Sequence, residues 1–158
     1  LRAISRARPK VAPYPFTTLT PHIGTITYID HVQLRVADIP GLINGASENE
    51  GLGFAFLRHI ERCLCLFYVL DGHLGDCHKQ LTELQYELDA YRPDLTKRST
   101  LVLVNKADLH GTREQYEKLL AAQPDLQERT FLISAKDGLG INRVLRRFRK
   151  LYDTQQVG

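Results

Sequence analysis

Apolar positions recur along this chain in two rhythms, and the alternation between them predicts the architecture. Short unbroken apolar runs at Leu64–Leu70, Leu101–Val104 and Phe131–Ile133 each stop at a polar or glycine residue, respectively Asp71-Gly72, Asn105 and Ser134. Such runs, apolar on both sides, are what strands in a covered parallel sheet require. Between them the spacing changes to the helical one. Leu81, Leu84, Leu88 and Tyr91 predict a helix before Pro93. Residues 114–122 predict another, and Ile141, Val144, Leu145, Phe148 and Leu151 line one face of a last one. The first third reads differently. Leu1–Ser5 is expected to be the tail of a helix ended by Arg6–Pro9, and Pro13–Pro21 an extended loop. Thr25–Tyr28 and Val32–Val36 flank Asp30-His31 as a hairpin. Residues 41–53 are expected to be a glycine-punctuated loop and 54–61 a helix. The sum is an α/β fold with a mostly parallel sheet and helices on both faces.

In such a sheet, ligands bind beyond the carboxyl ends of the strands. The candidate chemistry falls there. Asn105-Lys106-Ala107-Asp108 follows the strand at Leu101–Val104 directly. Guanine presents N1–H and an N2 amino group on one edge, and a single carboxylate accepts from both, so Asp108 in this role selects guanine over adenine. Asn105 can bond the other edge of the base, and the Lys106 stem can lie across its flat face. Ser134-Ala135-Lys136 follows the next strand, where backbone N–H groups can meet the guanine O6 and the Lys136 stem the opposite face. Each motif alone also reads as an ordinary polar turn.

Two further stretches suit phosphate and Mg²⁺. Asp38-Ile39-Pro40-Gly41 closes the second hairpin strand. A carboxylate there can hold Mg²⁺ through water, and a following glycine lets its N–H approach a terminal phosphate. In Phe16-Thr17-Thr18-Leu19-Thr20, a threonine hydroxyl can ligate Mg²⁺ while its N–H meets the same phosphate. Singly, a Pro-Gly turn and a threonine pair are uninformative. The order of all four, each beside the right local structure, makes one strong signal.

At that point a resemblance takes over. Tyr14–Arg62 carries Tyr-Pro-Phe-Thr-Thr-Leu-Thr-Pro-His-Ile-Gly, Asp-Ile-Pro-Gly-Leu-Ile, Gly-Leu-Gly and Phe-Leu-Arg-His-Ile-Glu-Arg, and it resembles the Obg family of GTPases. The first nine residues and Gln85–Leu88 look most like the family's mitochondrial branch. The resemblance implies a P-loop NTPase G-domain fold over residues 1–158, binding GTP or GDP with Mg²⁺. Thr18 and Asp38 would be the metal contacts, and Phe16–Thr20 and Asp38–Gly41 the two switches. It implies work on assembly of the large ribosomal subunit, with rRNA and other assembly factors as partners, in the mitochondrial matrix or, as the alternative, the cytoplasm. The family's first strand and its phosphate-binding loop would precede Leu1 and are missing from this chain. Many GTPases carry a Gln after the glycine of the second switch to orient the attacking water. Leu42 stands there instead, as the family pattern has it, so hydrolysis is expected to be slow, and the catalytic residue stays unassigned. The rival reading is a nucleotide-independent assembly scaffold that keeps a degenerate G-domain fold.

Composition adds limits. The 158 residues are 43% hydrophobic and 25% charged, enough for one self-sufficient core. The net charge of +3 permits a nucleic-acid partner without demanding one. Arg143, Arg146, Arg147, Arg149 and Lys150 crowd the last helix, a solvated face by default and an rRNA phosphate contact if the protein works on a ribosome. Three cysteines do not make a disulfide framework. Cys63 and Cys65 are expected on one strand face as small core residues. No apolar run reaches the roughly 18 residues of a membrane span.

Overall fold

The computed structural model describes residues 1–5, 10–11, 22–38 and 62–157. These fall into two compact units, Leu1–Cys63 and Leu64–Gly158. The segments expected at Phe16–Thr20, Ile39–Gly41, 41–53 and 54–61 lie outside the described residues.

The first unit is an antiparallel sheet of β1 (Lys10–Val11), β2 (His22–Thr27) and β3 (Gln33–Ala37), in that order. The expected hairpin forms, with Gly24 opposite Val36 and Ile26 opposite Leu34. Gly24, Ile26 and Val36 are buried in it, with Gly24 and Ile26 at alternate positions as a half-buried strand requires. His31 takes the left-handed conformation (φ 66°) at the turn, beside a bond from the Val32 N–H to Asp30 Oδ1 at 3.4 Å. Leu1–Ser5 makes a single turn, closed by Ser5 N–H donating to Leu1 O at 3.2 Å.

The second unit carries the parallel sheet. Its strands β4 (Leu66–Asp71), β5 (Thr100–Asn105) and β6 (Thr130–Leu132) stand in sequence order, each parallel to the next. Leu101, Val102, Leu103 and Val104 are all buried, which is why β5 reads as an unbroken apolar run. Helices α1 (Cys77–Tyr91), α2 (Thr112–Ala122) and α3 (Ile141–Gln156) follow the three strands in turn. On α3, Ile141, Val144 and Phe148 are buried, and Phe148 meets Phe67 of β4 with ring centroids 5.0 Å apart. Leu66, Tyr68 and Leu70, which alternate to the other face of β4, are buried too. Burial and the nearby Asp89 charge push the Tyr68 phenol up to about 12.

Three details differ from the sequence reading. Two strands run one residue further at their carboxyl ends than their apolar runs, taking in Asp71 and Asn105, and so carry polar side chains to the rim of the sheet. A 3-10 helix at Pro124–Arg129 precedes β6 and had no apolar period to announce it. Cys63 and Cys65 precede β4 instead of lying in it, and both are only half-buried. Their neighbour Leu64 is exposed, so no strand face buries the pair.

Candidate functional site

The carboxyl ends of β4, β5 and β6 bring two of the expected motifs together. Asn105 ends β5, and residues 106–108 turn away from the sheet. Ser134 and Ala135 come just after β6. The two turns are bonded to each other three times. Ser134 Oγ donates to Asp108 Oδ1 at 2.8 Å. Ala135 N–H donates to Asn105 Oδ1 at 3.0 Å, and Ala107 N–H to Ile133 O at 2.9 Å. Ser134 is buried, and its hydroxyl also accepts from Asp137 N–H at 3.2 Å. It therefore fixes Asp108 from inside the fold while the carboxylate faces solvent. The Ser134 bond, with help from Lys136 and Lys106, holds the Asp108 carboxyl below the usual carboxylate range. A carboxylate so held stays ionised and acceptor-only at neutral pH, as reading a pair of donors demands.

Lys106 has a left-handed backbone, φ 74°, unusual for a residue with a side chain. Two bonds brace it. Thr112, fully buried at the start of α2, donates its hydroxyl to Lys106 O at 2.7 Å. Leu109 N–H donates to the same oxygen at 2.9 Å. One strand over, Gly72 N–H donates to Asn105 O at 3.1 Å. A Cβ on Gly72 would lie 2.4 Å from Thr112 Cγ2 and 2.9 Å from Val104 Cγ1, so only glycine allows β4 to end this close to the turn.

Of the remaining expected residues, Lys136 is exposed beside the same turn. Asp38 belongs to the first unit. It is exposed just after β3, with its N–H donating to His22 O at 2.8 Å. Phe16, Thr17, Thr18, Leu19, Thr20, Ile39, Pro40 and Gly41 lie outside the described residues. Sequence reasoning missed Asp71, Gln80, Gly72 and Thr112. Asp71-Gly72 read as a stop signal for β4, and nothing in the local pattern shows that Lys106, 35 residues on, meets Asp71. Among the described residues, no group of three or more His, Cys, Asp or Glu could hold a metal, and no helix is long and apolar enough to cross a membrane.

The basic helix α3 is mixed in character. Arg143, Arg146 and Lys150 are exposed, while Arg147 and Arg149 are half-buried. Arg149 Nε lies 2.7 Å from Asp153 Oδ1, and the Arg143 guanidinium lies 5.9 Å from the centre of the Phe131 ring.

A parallel sheet with helices, whose strand ends carry an Asn-Lys-x-Asp turn cross-bonded to a Ser-Ala-Lys turn, has the fold of a P-loop GTPase G domain. The comparisons with known proteins agree. A family model described as "50S ribosome-binding GTPase" matches residues 1–106. The mitochondrial ribosome-associated GTPase 2 of Pongo abelii is 44% identical over 153 residues, covering 97% of this chain and 37% of the relative. A probable GTP-binding protein of rice, OBGM, mitochondrial, is 54% identical over 126 residues, covering 75% of this chain and 24% of the relative. Among solved structures, Era in complex with MgGDPNP and a stretch of 16S ribosomal RNA superposes with a TM-score of 0.68. At 17% identity over 95% of this chain and 50% of that one, it bears on the fold alone. This chain belongs to the family of 50S ribosome-binding GTPases, and its relatives within that family are of the Obg group, as the resemblance at Tyr14–Arg62 implied. It spans well under half the length of these relatives.

Proposed function

We propose that residues 1–158 are an Obg-type G domain whose protein binds GTP, hydrolyses it slowly and acts as a switch in assembly of the large subunit of the mitochondrial ribosome, in the matrix. The observation that carries this reading is the pair of bonds from Ser134 to Asp108 and from Ala135 to Asn105. They hold the outward-facing Asp108 carboxylate beside a turn with a backbone donor at Ala135. Guanine fits that arrangement. Its N1–H and N2 amino group donate to Asp108, and its O6 shares the Ala135 N–H with Asn105, whose carboxamide can turn toward N7. The stems of Lys106 and Lys136 cover the two faces of the base. Adenine would present no donor pair to Asp108 and would leave a desolvated carboxylate unpaired.

Mg²⁺ fits the other end of the ligand. A threonine hydroxyl and an exposed carboxylate are the hard oxygen donors that the ion prefers, and Asp38 stands exposed at the end of β3. Thr18 and Asp38 would hold the ion, which supplies charge neutralisation to the phosphates. The Gly41 N–H would meet the terminal phosphate, so Phe16–Thr20 and Asp38–Gly41 would answer to its presence. Leu42, apolar where a water-orienting amide would stand, keeps hydrolysis slow until a partner completes the site. The names of the relatives support a ribosomal partner, as do the exposed cations Arg143, Arg146 and Lys150 on α3, flanked by Arg147 and Arg149. Other assembly factors would meet the switches.

Sedimentation of the intact protein with mitochondrial large subunits tests the proposal. Retention with a non-hydrolysable GTP analogue and release with GDP is the expected result, with GTP turnover slow alone and faster with subunits present. Equal retention in both states would contradict the switch and favour the scaffold.

A further inference from the structure

Lys106 is bonded at its far end as well as at its backbone. Its Nζ lies 2.6 Å from Asp71 Oδ2, across from the neighbouring strand. The other carboxylate oxygen, Oδ1, accepts from His73 N–H at 3.0 Å and from Leu74 N–H at 3.1 Å. Those bonds, with the Lys106 ammonium first among the causes, hold the Asp71 carboxyl below its ordinary range. Gln80 of α1 clamps the Asp71 backbone in turn. Its Oε1 accepts from Asp71 N–H at 2.9 Å, and its Nε2 donates to Asp71 O at 2.8 Å and to Gly75 O at 2.6 Å. The loop after Asp71 also touches the loop after Lys106, through His73 Nδ1 and His110 O at 3.2 Å. A carboxylate is thus built into the rim of the sheet with one oxygen committed to backbone and the other to a single lysine.

An ion pair this open to water contributes little to stability by itself. Its consequence lies elsewhere. A lysine side chain has large rotamer freedom, and any of it that must be given up on binding weakens the ligand. We propose that Asp71 is a positioning residue for guanine recognition, holding the Lys106 stem in its base-facing arrangement before the nucleotide arrives. The inference rests on the guanine-binding reading above. It explains why β4 carries its polar end one residue beyond the apolar run and why Gln80 is spent on the Asp71 backbone. Asp71 touches Lys106 and not the base, and acts only through it.

Asp71→Asn isolates this role. The Asn Oδ1 can still accept from the His73 and Leu74 N–H groups, while its amide faces the ammonium with donors only. GDP titrations on the intact protein, with and without Lys106→Ala, complete a double-mutant cycle. In the presence of Lys106, Asp71→Asn is expected to raise the dissociation constant about three- to tenfold, and in the Lys106→Ala background by less than about twofold. A merely structural role for Asp71 would give equal losses in the two backgrounds, and that result overturns the proposal. So does an unchanged GDP affinity in Asp71→Asn. Asp71→Ser keeps a turn acceptor and provides the same comparison should the amide variant fold poorly. If the unsubstituted protein binds no GDP, the guanine reading itself fails, an outcome distinct from an Asp71 that proves neutral in a protein that does bind.

Discussion

The carboxyl rim of the β4–β5–β6 sheet in one unit and the end of the β2–β3 hairpin in the other each carry residues proposed to serve a nucleotide, and they are built differently. At the rim, three of the expected side chains have partners from another strand end. Asp108 has Ser134, Asn105 has Ala135, and Lys106 has Asp71. Buried residues stand behind them, Ser134 and Thr112 above all. At the hairpin, Asp38 is exposed, and its backbone bond to His22 continues the ladder without directing the carboxylate. The contrast suits the two tasks proposed for these regions. A base reader must hold its donors and acceptors still before the ligand comes, because specificity depends on leaving the wrong base unpaired. A sensor of the third phosphate must gain its contacts from the ligand, so its side chains are not satisfied in advance.

Substitutions at the rim should therefore cost affinity, and the largest effect falls on Asp108. Asp108→Ala removes the acceptor of two donors, each bond to a charged group contributing about 1.5–3 kcal/mol, so GDP affinity should drop on the order of 100-fold or more by calorimetry. A loss below tenfold would mean that the base is read elsewhere. Gly72→Ala comes next, and in stability. The clash with Thr112 and Val104 should destabilise by about 1–3 kcal/mol in urea melts. Ser134→Ala leaves Asp108 in place but undirected and should weaken GDP roughly fivefold to tenfold, in line with a net contribution of about 1 kcal/mol per bond. Asp38→Ala makes the opposite case. It should leave the affinity for nucleoside alone unchanged while weakening Mg²⁺-dependent GTP binding, which would sharpen the division between the two regions.

The smallest effect is in pH. Asp71 and Asp108 both have depressed folded values. A depressed carboxylate contributes stability that is fully present above its unfolded value of about 3.9 and is lost as pH falls through the lower folded value. Melting temperatures of the parent and Asp71→Asn should therefore differ by a constant amount at neutral pH and converge only below about pH 4. Convergence near pH 6 would show that another group controls the difference.

Much of this was legible in the residues. Leu101–Val104 had to be a strand covered on both faces, and the buried set of β5 agrees. Asn105 and Ser134 could be placed at strand ends because each follows an apolar run directly, and Asp108 comes three residues after Asn105. The supports were not legible. Gln80 on an amphipathic helix, Thr112 at a helix start and Asp71 at a strand end are residue types that commonly occupy such places for local reasons. Their partners lie 9, 6 and 35 residues away, across loops whose path no apolar period encodes, and Asp71 meets Lys106 only because register sets it opposite Asn105. The misplacement of Cys63 and Cys65 has the same origin. A run of apolar residues fixes that a strand exists more firmly than where it begins, and pairing with Thr100 starts β4 at Leu66.

The measurement that bears most directly on the account is calorimetric titration with GDP, GTP and ADP in Mg²⁺, on this chain and on an extended chain joined ahead of Leu1 to a strand and Gly-x-x-x-x-Gly-Lys-Ser loop of the Obg type. The expected result is binding of both guanine nucleotides to the extended chain, with ADP at least about 100-fold weaker because the Asp108 carboxylate would be left unpaired. Equal affinity for ADP and GDP, or heat from neither in the extended chain, would contradict a guanine site at Asn105–Asp108 and leave the scaffold reading in its place.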